Sequence, residues 1–432
     1  MGLHAARQIR KRMGRREVAI GLVDPRPYMT YQPFLPEAAA GSLEPRHVVA
    51  SHRMLLRSTT ILTGRLSSLD HEARRATITP ARGEPYTVGY DHVVVALGAV
   101  ARVLPIPGLA ETGIGFKQIE EAISLRNHVL TMMDQADSTW DEQARRRMLT
   151  FTFVGGGFAG SEAIGEVEDM ARSACQYYHS ISPDDLRFVL VEGTSRILPE
   201  VGADLGRYAL EQLRSRNIDV RLETFLTSCT DGHIVLSDGT EFDSDTLVWT
   251  AGVKANPALA ETDLPLDETG RVRTLPSLQV CTDAGEPIEG AWAAGDCAAV
   301  PDLSAPGITT CAPTAQHAIR QATHLGKNIT SALSGEPLAD YNHRDLGTVA
   351  SLGLYKGVAE VLGLKFRGPL AWFMHRTYHM TAMPTLNRKV RIVLDWTMAL
   401  LFRRDIVALG SLQAPRAEFR QAANSARAKE AA

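Results

Sequence analysis

Apolar and polar positions switch between two periods along almost the whole chain. Between residues 3 and 13, Leu3, Ala6, Ile9 or Arg10, and Met13 share one face with basic residues between them, which predicts a helix. Gly14 closes it, and Val18, Ile20, Leu22 and Val23 then read as a buried strand ending in Asp24. The clearest unit is "LTFTFVGGGFAGSEAIGEVEDMA" at 149–171, where Phe151, Phe153 and Val154 predict a strand, the glycines a turn, and Ser161 onward a helix. The run "LRFVLVEG" predicts the next strand and ends in Glu192, after a polar insertion around 175–185. Strands alternating with helices throughout predict an α/β fold built on parallel sheets.

Gly155, Gly157 and Gly160 stand at G-x-G-x-x-G spacing. The first permits a tight bend, the second lets backbone approach a pyrophosphate, and the third lets helix and strand pack closely. The helix then points unpaired N–H groups at the phosphates. Glu192 is placed to accept from a ribose 2′-hydroxyl and would repel a 2′-phosphate, which favours NADH over NADPH.

The opening repeats this pattern. Gly2 followed by "LHAA" aligns with Gly160 followed by "SEAI", and Asp24 takes the part of Glu192. On that alignment a first nucleotide motif lacks its strand and first two glycines, and an internal initiator at Met1 is the expectation. Two further segments repeat each other: "YDHVVVALGAVARVLPIPG" (90–108) with Ala96 and Gly98, and "FDSDTLVWTAGVKANP" (242–257) with Gly252. Such duplication implies two related dinucleotide domains, one nested in the other. "EGAWAAGDCAAVPD" (289–302) gives a strand, then Gly295 and Asp296.

Composition narrows the class. With 44% hydrophobic and 22% charged residues the chain is ordinary for a globular protein, and its net charge of −3 argues against a general nucleic-acid binder. The five cysteines are scattered without a C-x-x-C, which favours a reduced compartment and incidental thiols. No apolar run reaches the roughly 18 residues of a spanning helix. Lys365 to Arg404 is different: eight Lys or Arg stand against one acid, Asp395, interleaved with Phe366, Trp372, Phe373, Tyr378, Trp396 and Phe402. That mixture fits a segment lying in a bilayer interface and attracted to anionic lipid. A packed helix pair, or a homodimer interface, is the alternative.

The set "GGGFAGSE", "DPRPYMTYQPFLPEAAAG", "VVVALGA", "VWTAGVKANP", "WAAGDCA" and "CAPTAQHAIRQATHLGKNI" resembles the type II NADH dehydrogenases, single-chain flavoproteins of the two-dinucleotide-domain disulfide-reductase superfamily. The resemblance runs from about residue 2 to about residue 400. It implies FAD in a discontinuous outer domain (1–120 and 255–335), NADH in an inserted domain (121–254), and a C-terminal domain (336–432) with interface helices and a disordered tail. It implies hydride transfer from NADH to flavin and two electrons onward to a membrane quinone in a respiratory chain, without proton pumping, at the inner face of the cell membrane. Asp24, Arg26, Gln32 and Pro33 would serve the FAD, Asp296 its ribityl chain, and Thr314, Ala315 and Gln316 would present a helix N-terminus to the isoalloxazine. Glu162 matches a family glutamate near the nicotinamide and quinone end, although a helix N-terminal acid explains it equally.

One departure falls in the acceptor site. The family carries a second Gln four residues after Gln316, and here that position is Arg320, with Gln321 next. On a helix, i+4 lies about 40° round and i+5 about 140°, so Gln321 cannot stand in. No cysteine precedes Cys175, which disfavours disulfide chemistry at the flavin, and only Cys175 and Cys311 could serve a sulfide oxidation. A flavoprotein reductase with a protein acceptor, and an inactive nucleotide-binding product, remain the alternatives.

Overall fold

The computed structural model describes residues 1–14, 17–304, 307, 309–343, 347–402, 404–409, 416, 417 and 419–422. Arg403 of the basic set, and most of the expected tail, lie outside them. Helix α1 (Gly2–Arg12) buries Leu3, Ala5, Ala6 and Ile9, as its spacing predicts. Strand β1 (Gly21–Asp24) pairs in parallel with β2 (Thr60–Thr63). The expected buried strand from Val18 is shorter and half-exposed: among the described residues β1 is hydrogen-bonded on one edge only, and Val23 is 38% exposed.

The first repeated segment forms β3 (Val93–Val95) and β4 (Ala99–Ala101), after which the chain enters a second unit. There β5 (Gly113–Gly115) leads to α2 (Ile119–Ser138), which opens on a reciprocal cap between Gln118 and Glu121. Next come β6 (Thr150–Val154), α3 (Phe158–Ala174), β7 (Arg187–Val191), β8 (Ile218–Arg221) and β9 (Thr246–Trp249). All five strands run parallel in the order β5-β9-β6-β7-β8. β6 and β9 are buried along their whole length because helices cover one face and a three-stranded antiparallel sheet carrying Leu226, Ile234 and Leu236 covers the other, which is why they read as continuous apolar runs.

The chain returns through β10 (Val253–Ala255), which pairs antiparallel with β4, so the two repeated segments meet in one ribbon between the units. Trp249 Nε1 donates to the Arg102 carbonyl at 2.9 Å and Asn256 Nδ2 to the Leu97 carbonyl at 3.2 Å, locking that crossing. Strand β11 (Pro287–Ala293) then lies parallel to β3 in the first unit, and α4 (Ala315–Leu333) packs on α1. A Cβ on Gly326 would come within 2.6 Å of Gln8 Cβ, so glycine sets how closely these two helices approach.

The last unit was not foreseen as a sheet. β12 (Gly347–Ser351), β13 (Gly357–Val361) and β14 (Leu364–Arg367) form an antiparallel meander, followed by α5 (Gly368–Ala382) and α6 (Leu386–Leu401). Of the residues expected to face lipid, Trp372 and Arg376 are buried and Arg404 is nearly so, while Lys365 pairs with Asp204 at 2.8 Å. The physical reason is the buried acids described below, which draw cations inward. Outward-facing apolar residues do exist on α6, where Leu386, Val390, Val393, Leu394, Met398 and Leu401 are exposed and Ile392 alone is buried.

The largest core joins the five-stranded sheet to α2, α3 and the short helix Leu35–Ala39. Leu130, fully buried there, should cost about 2–5 kcal/mol on Leu130→Ala. Trp140→Ala, at a side chain 98% exposed, should change stability by less than about 0.5 kcal/mol. Urea unfolding of both variants checks the pair.

Candidate functional site

The second glycine turn joins β6 to α3. Gly155 has φ +110°, and a Cβ there would lie 2.7 Å from Thr250 Oγ1, while one on Gly160 would strike the Gly155 carbonyl. A Cβ on Gly157 meets nothing within 4 Å, so the middle glycine borders open space where a dinucleotide backbone can approach. Glu192, just beyond β7, comes to the same turn and accepts from the Gly156 amide at 2.5 Å and the Thr194 amide at 2.7 Å. These four expected residues converge, and the helix N-terminus above them carries no side-chain cap.

The expected residues of the outer unit form a second group. Gly2 opens α1, where a Cβ would sit 3.3 Å from Ala96 Cβ. Asp24 accepts from the Arg26 amide at 2.8 Å and lies 3.2 Å from His52 Nε2, and Arg26 stands 3.6 Å from Glu120. Gln32 Nε2 donates to the Lys117 carbonyl at 3.0 Å, with Pro33 beside it in the turn Gln32–Phe34. Gly98, Gly252 and Gly295 all take positive φ, and a Cβ on Gly98 also meets open space. The Gly295 amide donates to Gln321 Oε1 at 2.7 Å, so Gln321, buried on α4, has a structural task at the flavin-type motif.

Sequence reasoning missed Lys117. Its ammonium donates to the Ala99 carbonyl at 3.2 Å, burial lowers its pKa, and Asp296 and Glu121 pull the other way. The aligned motifs gave no signal for it, because it enters from the strand-to-helix turn of the other unit.

Thr314 caps α4 by accepting from the His317 amide at 3.2 Å, and Ala315 is exposed in the first turn. Gln316 Nε2 donates to the Gly347 carbonyl at 3.2 Å, and Arg320 is half-buried on the same helix. Glu162, on α3, accepts from the Ser351 amide at 2.9 Å. Gln316 and Glu162 therefore hold opposite ends of β12, about 13 Å apart along a strand rising 3.3 Å per residue.

Around Glu162 lies a buried polar cluster that only its position in space reveals. Burial pushes the Glu162 carboxyl up to about 8, against one opposing hydrogen bond from Ser351. His375 Nε2 stands 3.1 Å away without hydrogen-bond alignment, and burial, with Arg376 adding to it, holds the imidazole down at about 3. Its neighbour His379 stacks edge-on at 4.5 Å and bonds Tyr31 OH at 3.0 Å. Glu37 reaches Arg376 at 3.2 Å and accepts from Trp396 Nε1 at 2.6 Å, and burial raises its carboxyl to about 7. Glu166 accepts from Ser351 Oγ at 3.1 Å. Only the i, i+4 spacing of His375 and His379 could have hinted at this cluster.

All five cysteines are buried and unpaired. Burial lifts the Cys175, Cys297 and Cys311 thiols to about 11, so none is a thiolate near neutrality.

A family model described as "pyridine nucleotide-disulphide oxidoreductase" matches residues 2–322. The chain belongs to that family. Among members, it is 29% identical over 418 residues to the type II NADH:quinone oxidoreductase Ndh of Mycobacterium tuberculosis, covering 93% of this chain and 86% of that one. It is 26% identical over 388 residues to the type II NADH:quinone oxidoreductase of Staphylococcus aureus, covering 88% and 92%. The solved structure of NDH2 from Plasmodium falciparum in complex with NADH superposes with a TM-score of 0.86 at 16% identity, over 93% of this chain and 97% of that one, which shows a shared α/β dinucleotide-binding fold.

The raised Glu162 carboxyl fixes a pH signature. A carboxyl protonated in the fold but not in the unfolded chain makes the native state bind the extra proton, so stability falls as pH rises between about 4.5 and about 8. Glu162→Gln should remove this slope, gaining on wild type by up to about 1.4 kcal/mol per pH unit in that window. Denaturant midpoints across the window measure it, and parallel curves for the two proteins would refute the assignment.

Proposed function

We propose that this chain is a type II NADH:quinone oxidoreductase with FAD as its resident group. The observation that carries the reading is that α4 of the outer unit and α3 of the inserted unit meet on one strand, β12, through Gln316 at one end and the raised carboxyl of Glu162 at the other. The outer unit holds FAD through Gly2, Asp24, Arg26, Gln32, Pro33, Ala96, Gly98, Gly252, Gly295, Asp296 and the start of α4, and the inserted unit holds NADH. The residues fit these groups: open space at Gly98 and Gly157, carboxylates at two strand ends, and a half-buried cation, Lys117, in the field of Asp296.

The chemistry FAD supplies when bound is two-electron transfer from NADH to a quinone. Reducing a quinone consumes one solvent proton in addition to the hydride. Glu162 is protonated at neutral pH and can release that proton, with neutral His375 beside it to pass the next one inward. Glu192 binds the NADH ribose and excludes a 2′-phosphate. Gln316 orients the acceptor, and Arg320, replacing the second glutamine of the family, donates to a quinone carbonyl.

The apolar outer face of α6 rests on the bilayer, with Lys389 and Arg391 at its polar edge. No described helix is long and apolar enough to cross a membrane. The protein is accordingly read as peripheral, on the inner face of the cell membrane, with lipid rather than a second copy covering this face.

Absorbance of the purified yellow protein tests the whole reading: NADH should bleach it, and a ubiquinone or menaquinone analogue should restore it. Restoration by a carrier protein in strong preference to quinones would sink the quinone assignment. Glu192→Ala should narrow the preference for NADH over NADPH, read as the ratio of kcat/KM. Glu162→Gln should slow quinone turnover by about 10²-fold while leaving bleaching by NADH intact.

A further inference from the structure

A recess of about 540 Å³ opens between α1 and the segment leading into β2. Its walls carry Arg7, Arg10, Lys11 and Arg57, with the Ser58 and Thr59 hydroxyls, and no Asp or Glu. Among the described residues none of these four cations forms an ion pair. Arg10 is fixed by three backbone carbonyls, those of Gly14, Val18 and Ser58, at 3.0–3.2 Å, which leaves its charge uncompensated. Its Nε and the Thr59 hydroxyl are buried without a hydrogen-bond partner, the mark of a site built for an ion or water. Lys11 and Arg57 are exposed and make no hydrogen bond among the described residues.

Four like charges converging with no acid repel one another, and an anion relieves that repulsion most effectively when it accepts several hydrogen bonds at once. We propose that this recess binds a phosphate group. Guanidinium, ammonium and hydroxyl donors on three sides suit a phosphate mono- or diester better than a carboxylate, which offers fewer acceptor directions. Arg7 also donates to the Pro384 carbonyl at 3.5 Å, so the recess adjoins the turn between α5 and α6. That position admits two sources of the same chemistry, an anionic lipid headgroup or a soluble phosphate compound. Only the first rests on the membrane reading above.

Calorimetric titration of the full chain with inorganic phosphate, at matched ionic strength, tests the site. Wild type should give a saturable heat, and Arg53→Gln, one charge removed outside the recess, should keep it. Lys11→Gln with Arg57→Gln should weaken binding at least about tenfold, since each basic residue near an anionic group contributes about fivefold. Both side chains are exposed and free of hydrogen bonds, so unchanged flavin content is expected and separates lost binding from lost folding. No saturable heat for wild type, or unaltered binding by the double variant, overturns the proposal. Flotation with phosphatidylcholine vesicles, with and without phosphatidylglycerol, then distinguishes the sources. A double variant that loses only the phosphatidylglycerol increment assigns a headgroup. One that floats like wild type assigns a soluble phosphate. A wild type that floats with neither overturns the membrane reading and leaves the phosphate site standing.

Discussion

The Glu37 carboxyl joins the short helix Leu35–Ala39 to the two C-terminal helices, more than 300 residues away in sequence. It sits on the short helix Leu35–Ala39, meets Arg376 from α5 at 3.2 Å, and accepts from the Trp396 indole of α6 at 2.6 Å. Arg376 in turn lies over the rings of Trp372 and Trp396, at 4.0 and 5.0 Å. A buried ion pair gains little over apolar packing, because desolvating both charges cancels most of their attraction. Removing one partner is different and costs about 3–5 kcal/mol, since the other charge is left stranded. The pair therefore selects one seating of the C-terminal helices on the rest of the molecule. That seating sets His375 beside Glu162 and presses β12 against α3.

The acids of this compartment differ in the charges they face. Glu37, Glu162 and Glu166 share it with two guanidiniums, Arg376 and Arg404, the latter 3.8 Å from Glu166. Glu37 and Glu166 each face a cation, whereas Glu162 faces only a backbone amide and an imidazole that stays neutral. Among the described residues Glu162 is the one of the three with no cation beside it, and burial raises its carboxyl to about 8. It sits at one end of β12, with Gln316 at the other.

How much of this the sequence carried follows from what each kind of pattern encodes. The glycine turn at 155–160 and Glu192 were legible because they follow an order in sequence: a strand, a bend, a helix and the end of the next strand. The ribbon between β4 and β10 was half-legible, since the two segments look alike but nothing in either says that they pair. Lys117 and Ser351 were invisible, because each acquires its partner across an interface between units, and only its i, i+4 spacing from His375 hinted at His379. The shortened β1 shows the opposite error. Its apolar residues suit a central strand, yet bonding on one edge leaves them half-exposed. The bond of Gln321 to the Gly295 amide could be found only in three dimensions.

The basic, aromatic C-terminal segment shows why composition alone misplaces residues. Counting charges treats Arg376, Arg404 and Lys389 alike, although two turn inward to acids and one lies at the rim, bonded to the Thr381 carbonyl at 2.6 Å. The result is an inverted arrangement: guanidiniums and indoles face in, while Leu386, Val390, Leu394 and Leu401 face out at nearly helical repeat. In water that arrangement is doubly unfavourable, exposing apolar area worth about 25 cal/mol per Å² while burying charge. Against hydrocarbon the outer face loses nothing, and the inner cluster is shielded from solvent by the same helix. The geometry that keeps Glu162 dry is thus coupled to the medium outside α6.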